Sequence, residues 1–174
     1  LMLKGRCGNC KTAISWRSPA IELTTAALAV FAIAHFGATP LGFAVVVFSW
    51  LLLIMSMIDV DHQLLPDQLT LPLLWLGLAF HAFTDTLPLA DAVWGAIFGY
   101  LVLWSVYWLF KLLTGKEGMG YGDFKLLAAL GAWLGWQQLP LIIILSSLVG
   151  AVLGAISLSL AGKGRGQTIP FGPY

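Results

Sequence analysis

Long apolar runs dominate the sequence, and most of them are close to the roughly 20 residues that a helix needs to cross a bilayer. The runs lie near residues 20–37, 41–58, 68–84, 92–110, 124–136 and 139–161. With 59% hydrophobic and only 10% charged residues, the chain is too apolar for a water-soluble domain and too poor in charge for a disordered or coiled-coil protein. We therefore predict an all-α, polytopic membrane helical bundle with about six transmembrane segments.

The fifth run, 124–136, differs from the other five because it is shorter and carries Lys125 near its start. A segment of this length either begins within the headgroup layer or is a half-helix buried among its neighbours. We count it as a crossing, and both alternatives for its depth stay open at this point.

The basic residues test this topology independently, because short cytoplasmic loops accumulate Lys and Arg. With six crossings and a cytoplasmic start, all nine bases fall on one side of the membrane. They are Lys4, Arg6, Lys11 and Arg17 before the first run, Lys111, Lys116 and Lys125 around the connection between the fourth and fifth, and Lys163 and Arg165 after the sixth. The net charge of +1 offers no argument for nucleic acid, and we expect no nucleic-acid partner.

The chain divides into three predicted regions. Residues 1–19 form a cytoplasmic segment, 20–161 a transmembrane domain, and 162–174 a cytoplasmic loop leading to a further segment. The polar, basic start does not resemble a cleavable signal peptide. Because no Met stands at position 1 and the final residues stop within a turn, we expect an internal fragment of a longer polytopic protein.

Acidic residues are costly near a membrane, so their positions are informative. Asp59, Asp61 and Asp67 crowd the predicted loop after the second run, and Asp123 ends the glycine-rich segment 118–123. Both segments are predicted to lie at the cytoplasmic boundary. Two carboxyl groups brought together there share one proton. The ionised group can take a proton from water while its protonated partner polarises the scissile carbonyl, as in aspartic proteases. Asp59 and Asp123 are the predicted catalytic pair.

Structural interpretations compete with this prediction. Asp67 follows Pro66 and precedes a helix, so an N-cap role explains it, and Asp123 also fits an N-cap. Asp61 and His62 are typical of a solvated loop face. The other two histidines, His35 and His81, lie in apolar runs, which favours a packed or interfacial position over metal ligation.

The glycines weigh against a purely structural Asp123. Gly118, Gly120 and Gly122 alternate along the chain, and residues without a side chain let another backbone approach closely. We predict that they form a substrate loop. A phosphate-binding loop would need Gly-Lys-Ser/Thr at this point, whereas Gly122 is followed by an acid that repels phosphate.

Cys7 and Cys10 have the spacing of half a zinc site, because a closed structural zinc site needs four ligands. A redox pair is the competing interpretation. Their polar surroundings on the reducing side of the membrane suit a zinc knuckle that is completed by residues outside this sequence.

Taken together, these motifs resemble the type IV prepilin peptidases, membrane aspartic proteases with a GxGD motif like that of presenilin and the signal peptide peptidases. The resemblance is carried by Asp59 with Pro66 and Asp67, by the run Gly120-Tyr121-Gly122-Asp123-Phe124-Lys125, by Cys7-Gly8-Asn9-Cys10, by Arg17-Ser18-Pro19-Ala20-Ile21-Glu22-Leu23, and by Ile169-Pro170-Phe171-Gly172-Pro173-Tyr174. It extends through essentially the whole chain.

The resemblance implies that Asp59 and Asp123 are the two catalytic aspartates. It implies cleavage of the basic leader of type IV prepilins and pseudopilins at the cytoplasmic face of the bacterial inner membrane, without a cofactor. In bifunctional members the new N-terminus is then methylated with S-adenosylmethionine. Such members carry two Cys-x-x-Cys pairs, of which this chain matches the second, Cys7 and Cys10, so we expect structural zinc in the full-length protein.

Three alternatives stay open from the sequence. A transporter or channel module would use acids to bind a cation or relay protons, but would place them near mid-membrane. A metal hydrolase would use Asp59, Asp61, His62 and Asp67 as ligands. A structural membrane subunit gives no reason for a glycine-rich segment before an acid.

Overall fold

A computed structural model describes residues 15–116 and 119–161 of the chain, with side chains up to Val152. Over these residues it has six α-helices and no strand. They are α1 (Arg17–Phe36), α2 (Pro40–His62), α3 (Asp67–Phe83), α4 (Leu89–Thr114), α5 (Tyr121–Leu134) and α6 (Leu139–Ala161), with a 3₁₀ turn at Trp136–Gln138 between the last two. The predicted all-α fold is confirmed, and one helix corresponds to each apolar run.

Among the residues that the structure describes, three helices, α1, α2 and α4, are long and apolar enough to cross a membrane. With 17 residues, α3 lies at the short end of the range that spans a bilayer. α5 and the segment Trp136–Val152 also qualify when taken together, but a bend of 120° separates them. The protein is therefore a membrane protein with several apolar helices, while a separate crossing by α5 stays a prediction.

Two compact units make up the chain, Leu1–Leu53 and Ile54–Tyr174. Within the first, the indole Nε1 of Trp50 donates a hydrogen bond of 3.1 Å to the carbonyl oxygen of Thr25, which links α2 to α1. The region boundaries predicted from the sequence, at residues 19 and 161, differ from the boundary between these two units, and they stay a prediction.

In the second unit, α5 is the central helix and packs chiefly on α4 and α3. Its buried residues are mostly small: Phe124, Leu127, Ala128, Ala129, Gly131 and Ala132. Gly131 meets the backbone of Gly95, and Gly99 meets the backbone of Leu127. Such close approach of two backbones is how membrane helices gain packing energy without a hydrophobic driving force. At about 21 Å long, α5 is a short helix enclosed by its neighbours, as one of the two alternatives for the fifth run predicted.

The contacts of α5 fix the directions of the helices around it. Lys125 near its start contacts Asp67 at the start of α3, and Trp133 near its end contacts Leu73 and His81 further along α3. α3 and α5 are therefore parallel, and both begin at the same end of the unit. The loops that precede them, which follow α2 and α4, consequently lie at that same end.

The far end of α3 and α5 is joined by a buried histidine. His81 contacts the Thr86 hydroxyl through Nδ1 and the Trp133 carbonyl oxygen through Nε2, both at 3.0 Å. The Trp133 indole in turn donates to the carbonyl oxygen of Leu73 at 2.8 Å. His81 is therefore a packed residue, as its apolar surroundings predicted, whereas His35 is exposed and stacks on Phe31.

Candidate active site: two carboxyl groups beside the start of α5

Asp59 lies in the last turn of α2 and is almost completely buried, with 5% of its surface exposed. Gln63 follows the helix with a left-handed φ of 53°, and its N–H donates to the Asp59 carbonyl oxygen at 2.8 Å. The sequence-based prediction that Asp59, Asp61 and His62 belong to a loop is wrong. α2 continues to His62 because the chain first leaves helical geometry at Gln63.

Asp123 is the third residue of α5, and its side chain is half-buried. Its carboxylate lies near Gly120, which occupies the N-cap position, since a Cβ placed on Gly120 would lie 3.7 Å from the Asp123 Oδ2. An acid in the first turn is favoured by the positive end of the helix dipole. The interpretation of Asp123 as the N-cap itself is therefore wrong, because Gly120 occupies that position.

The structure brings these two acids together. The negative charge of Asp59 acts directly on Asp123, so the two carboxyl groups lie within electrostatic range of each other inside the second unit. Water is largely excluded around Asp59, and charges interact more strongly in such surroundings than in bulk solvent. Two carboxylates in this arrangement cannot both ionise at low cost, so the pair favours holding one proton.

Gly122 explains how the two segments approach so closely. A Cβ atom placed on Gly122 would lie 2.6 Å from the Cβ of Leu65 and 3.3 Å from its carbonyl oxygen. Leu65 belongs to the short connection between α2 and α3, so α5 begins directly against the residues that follow Asp59. Any side chain at position 122 would push this connection away.

Gly120 has different surroundings. It is exposed, and a Cβ there would meet only the Asp123 Oδ2, at 3.7 Å. Its backbone is extended, so its role is to leave open space beside the carboxylate. Gly118 lies outside the described residues. The substrate loop thus stays a prediction for Gly118 and Gly120, whereas the space at Gly122 is filled by Leu65.

Asp67 forms an ion pair that sequence reasoning missed. Both of its carboxylate oxygens lie 2.6 Å from Nζ of Lys125. α3 begins at Asp67 itself, with Pro66 in the N-cap position and no side-chain cap, so the N-cap interpretation of Asp67 is wrong. The sequence did contain a signal for this ion pair. Asp67 and Lys125 have opposite charges and lie near the starts of two helices whose preceding loops are predicted on the same membrane face.

An aromatic cluster at the start of α5, also missed from the sequence, packs this helix onto α4. Phe124 is fully buried, and its ring lies 5.5 Å from that of Tyr107 and 5.6 Å from that of Tyr121. The Tyr107 hydroxyl accepts a hydrogen bond from Lys111 at 3.3 Å. The Tyr121 hydroxyl lies 3.4 Å from the same Tyr107 oxygen. The residue after Asp123 is thus anchored on the side of α4.

The residues of the metal-hydrolase alternative do not converge. Asp59 is buried, Asp61 and His62 are exposed, and Asp67 is paired with Lys125. In the part of the chain that the structure describes, no three His, Cys, Asp or Glu side chains are grouped so that they could hold a metal ion. Cys7 and Cys10, the predicted zinc ligands, lie outside the described residues.

Fold and site together define a helical membrane protein with two adjacent carboxyl groups beside the start of a buried helix. The chain belongs to the type IV leader peptidase family, whose model matches residues 46–155. A second model, the bacterial N-terminal domain of peptidase A24, matches residues 1–36. The resemblance inferred from the motifs is thereby confirmed.

Curated relatives named prepilin leader peptidase/N-methyltransferase match the whole chain. Those of Stutzerimonas stutzeri and Pseudomonas aeruginosa are 60% and 62% identical over 174 residues, and that of Aeromonas salmonicida is 58% identical over 177. The chain spans 60% of the length of each of these three relatives. No solved structure matches it significantly. The transporter alternative finds no support in these relatives.

Proposed function

We propose that the full-length protein is an aspartic endopeptidase that removes the basic leader of type IV prepilins and pseudopilins. The observation that carries the proposal is the placement of two acids in one unit, the buried Asp59 at the end of α2 and the half-buried Asp123 at the start of α5, which packs against the connection that follows Asp59. Membership of the type IV leader peptidase family and the names of the relatives support the same activity.

The two carboxyl groups would act as one unit. The ionised member takes a proton from a water molecule, whose oxygen attacks the scissile carbonyl carbon while the protonated member donates a hydrogen bond to the carbonyl oxygen. The resulting tetrahedral intermediate loses the amine when the C–N bond breaks, and the amine nitrogen takes up a proton from the pair. No cofactor is needed for this step.

The substrate would enter from the lipid. Prepilins carry an apolar helix directly after the cleavage point, so lateral approach keeps that helix in hydrocarbon while the basic leader stays at the surface. The exposed backbone at Gly120 leaves room beside the Asp123 carboxylate for an extended peptide. Gly118 continues the same segment and is part of the proposed substrate loop.

The proposed location is the bacterial inner membrane, with the carboxyl pair facing the cytoplasm. This orientation rests on the nine bases, which all fall on one side when the chain crosses six times. The lipid bilayer surrounds the exposed apolar faces of the long helices. The proposed reaction involves no nucleic acid.

We further propose that the full-length protein methylates the new N-terminus with S-adenosylmethionine, as the names of the relatives suggest. Structural zinc belongs to the same proposal, with Cys7 and Cys10 as two of its four thiolate ligands. Zinc would order the cytoplasmic segment and take no part in peptide cleavage.

The test is cleavage of a prepilin by the full-length protein in proteoliposomes. Asp59→Asn and Asp123→Asn should each abolish turnover, because neither variant can share a proton across two carboxyl groups. Asp61→Asn is the matched control, since Asp61 lies two residues from Asp59 but is exposed, and it should at most weaken cleavage. Robust cleavage by Asp59→Asn would move the catalytic role to Asp61 or Asp67.

A further inference from the structure

Asp67 and Lys125 join the two acid-bearing segments by a contact outside the proposed chemistry. The Lys125 ammonium lies between both carboxylate oxygens of Asp67, at 2.6 Å from each. The two residues are 58 positions apart in the chain. The ammonium is a point charge that contacts both oxygens, so the ion pair constrains the distance between the starts of α3 and α5.

The ion pair lies at a position from which its loss would displace the two carboxyl groups. Lys125 follows Asp123 by two residues within α5, and Asp67 opens α3 directly after the connection from α2. That connection has only four residues, 63–66, so a displacement of the start of α3 is transmitted to the end of α2, which carries Asp59. Leu65, within the same connection, already rests on Gly122.

We propose that Asp67 and Lys125 are positioning residues that set the separation of Asp59 and Asp123. Leu65 on Gly122 limits how closely the connection approaches α5, and the ion pair prevents it from moving away. The inference rests on the proposed peptidase function, and it assigns these two residues no contact with substrate.

The exposure of the two side chains distinguishes a positioning role from a contribution to folding stability. The Asp67 side chain is 56% exposed and that of Lys125 28%, and exposed ion pairs contribute little to folding stability. Geometry at a reacting centre is far more sensitive, since a misplacement of about 1 Å can reduce a rate ~100-fold. Loss of the pair should therefore reduce turnover without reducing thermal stability.

The experiment measures kcat, KM and the thermal unfolding midpoint for prepilin cleavage by the full-length protein. Asp67→Asn and Lys125→Gln should each lower kcat at least about tenfold, with KM within about twofold of wild type. Their unfolding midpoints should stay at the wild-type value. Asp61→Asn, an exposed acid at the end of α2, is the matched control and should keep most of the wild-type kcat.

The most informative part of the experiment uses double variants that restore the ion pair and should restore kcat. The swapped variant Asp67→Lys with Lys125→Asp should recover most of the lost kcat, because the ion pair forms again in the opposite sense. Should the swap fail to fold, the conservative double variant Asp67→Glu with Lys125→Arg serves instead and should also retain turnover. Wild-type kcat in either single variant, or no recovery in a folded rescue variant, would overturn the proposal.

Asp59→Asn and Asp123→Asn in the same assay keep the two proposals separate. If both are inactive while Asp67→Asn cleaves at the wild-type rate, only the positioning role fails. If either catalytic variant still cleaves normally, the peptidase assignment itself fails, whatever the ion-pair variants do.

Discussion

Gly122 and Leu65 are in direct contact, so that α5 begins against the connection that follows Asp59. The contact gives a physical reason for the second glycine of the GxGD motif in this protein. A hydrogen atom is all that fits between the α5 backbone and Leu65. Because position 122 has no side chain, α5 can begin close to the end of α2 that carries Asp59.

This contact predicts that Gly122→Ala lowers both stability and activity far more than the addition of one methyl group usually does. Overpacking typically costs about 1–3 kcal/mol, and here the added methyl group also pushes the connection after Asp59 outward. We expect a lower unfolding midpoint and a loss of prepilin cleavage of ~100-fold or more. Gly120→Ala is the matched control, because a Cβ there meets only the Asp123 Oδ2, at 3.7 Å, and it should unfold at the wild-type temperature. Equal unfolding temperatures for the two variants would contradict this account.

The close approach of α4 and α5 predicts a second glycine effect. A Cβ on Gly131 would collide with the Gly95 carbonyl group, and backbone atoms cannot move aside as a flexible side chain can. Gly131→Ala should therefore lower the free energy of unfolding by about 3 kcal/mol or more, although alanine is favoured in helices by about 1 kcal/mol. Thermal unfolding in detergent checks this prediction. An unchanged or raised midpoint would show that the two helices are further apart than described.

His81 should contribute to stability through its two hydrogen bonds. His81→Leu removes the two hydrogen bonds of a buried imidazole, each of which contributes about 0.5–1.5 kcal/mol to stability. His35→Leu is the matched control, since His35 is exposed, and it should change stability by no more than about 0.5 kcal/mol. The comparison is made by thermal unfolding of both variants in the same detergent. Equal losses would indicate that the His81 bonds carry no net stability.

The zinc of the full-length protein should be structural, and prepilin cleavage should need no other metal ion. We expect the full-length protein to contain zinc by elemental analysis, and Cys7→Ser or Cys10→Ser to lower that content, because each removes one of four ligands. Prepilin cleavage by the assembled wild-type protein should continue in a mild chelator that does not strip the structural ion. Full zinc content in both cysteine variants would exclude these residues as ligands.

The helical architecture was predictable because membrane crossing leaves a strong sequence signal. Each apolar run became a helix, since backbone polar groups in lipid must bond within their own segment. The boundary of α2 was not predictable in the same way. Asp59, Asp61 and His62 are polar residues that follow an apolar run, yet backbone hydrogen bonds continue the helix to His62.

The candidate catalytic pair could be predicted from the energetic cost of placing acids near a membrane. The contacts that hold the two segments together could not be predicted. Asp59 and Asp123 are conspicuous because acids at a hydrocarbon boundary are rare. The ion pair of Asp67 with Lys125 and the packing of Leu65 on Gly122 depend on α3 and α5 being parallel neighbours. No local pattern encodes that arrangement, because it arises from tertiary packing of segments almost 60 residues apart.

The central claim is that the Asp59 and Asp123 side chains meet, and cross-linking tests it most directly. Asp59→Cys with Asp123→Cys, in a full-length background lacking other cysteines, is treated in membranes with a short reagent that carries two thiol-reactive groups. Linked peptides are then quantified by mass spectrometry. We predict efficient linkage for this pair and little for the control, Asp61→Cys with Asp123→Cys, because residues two positions apart in α2 point about 200° away from each other around the helix axis. Efficient linkage of the control and none of the 59–123 pair would contradict the account.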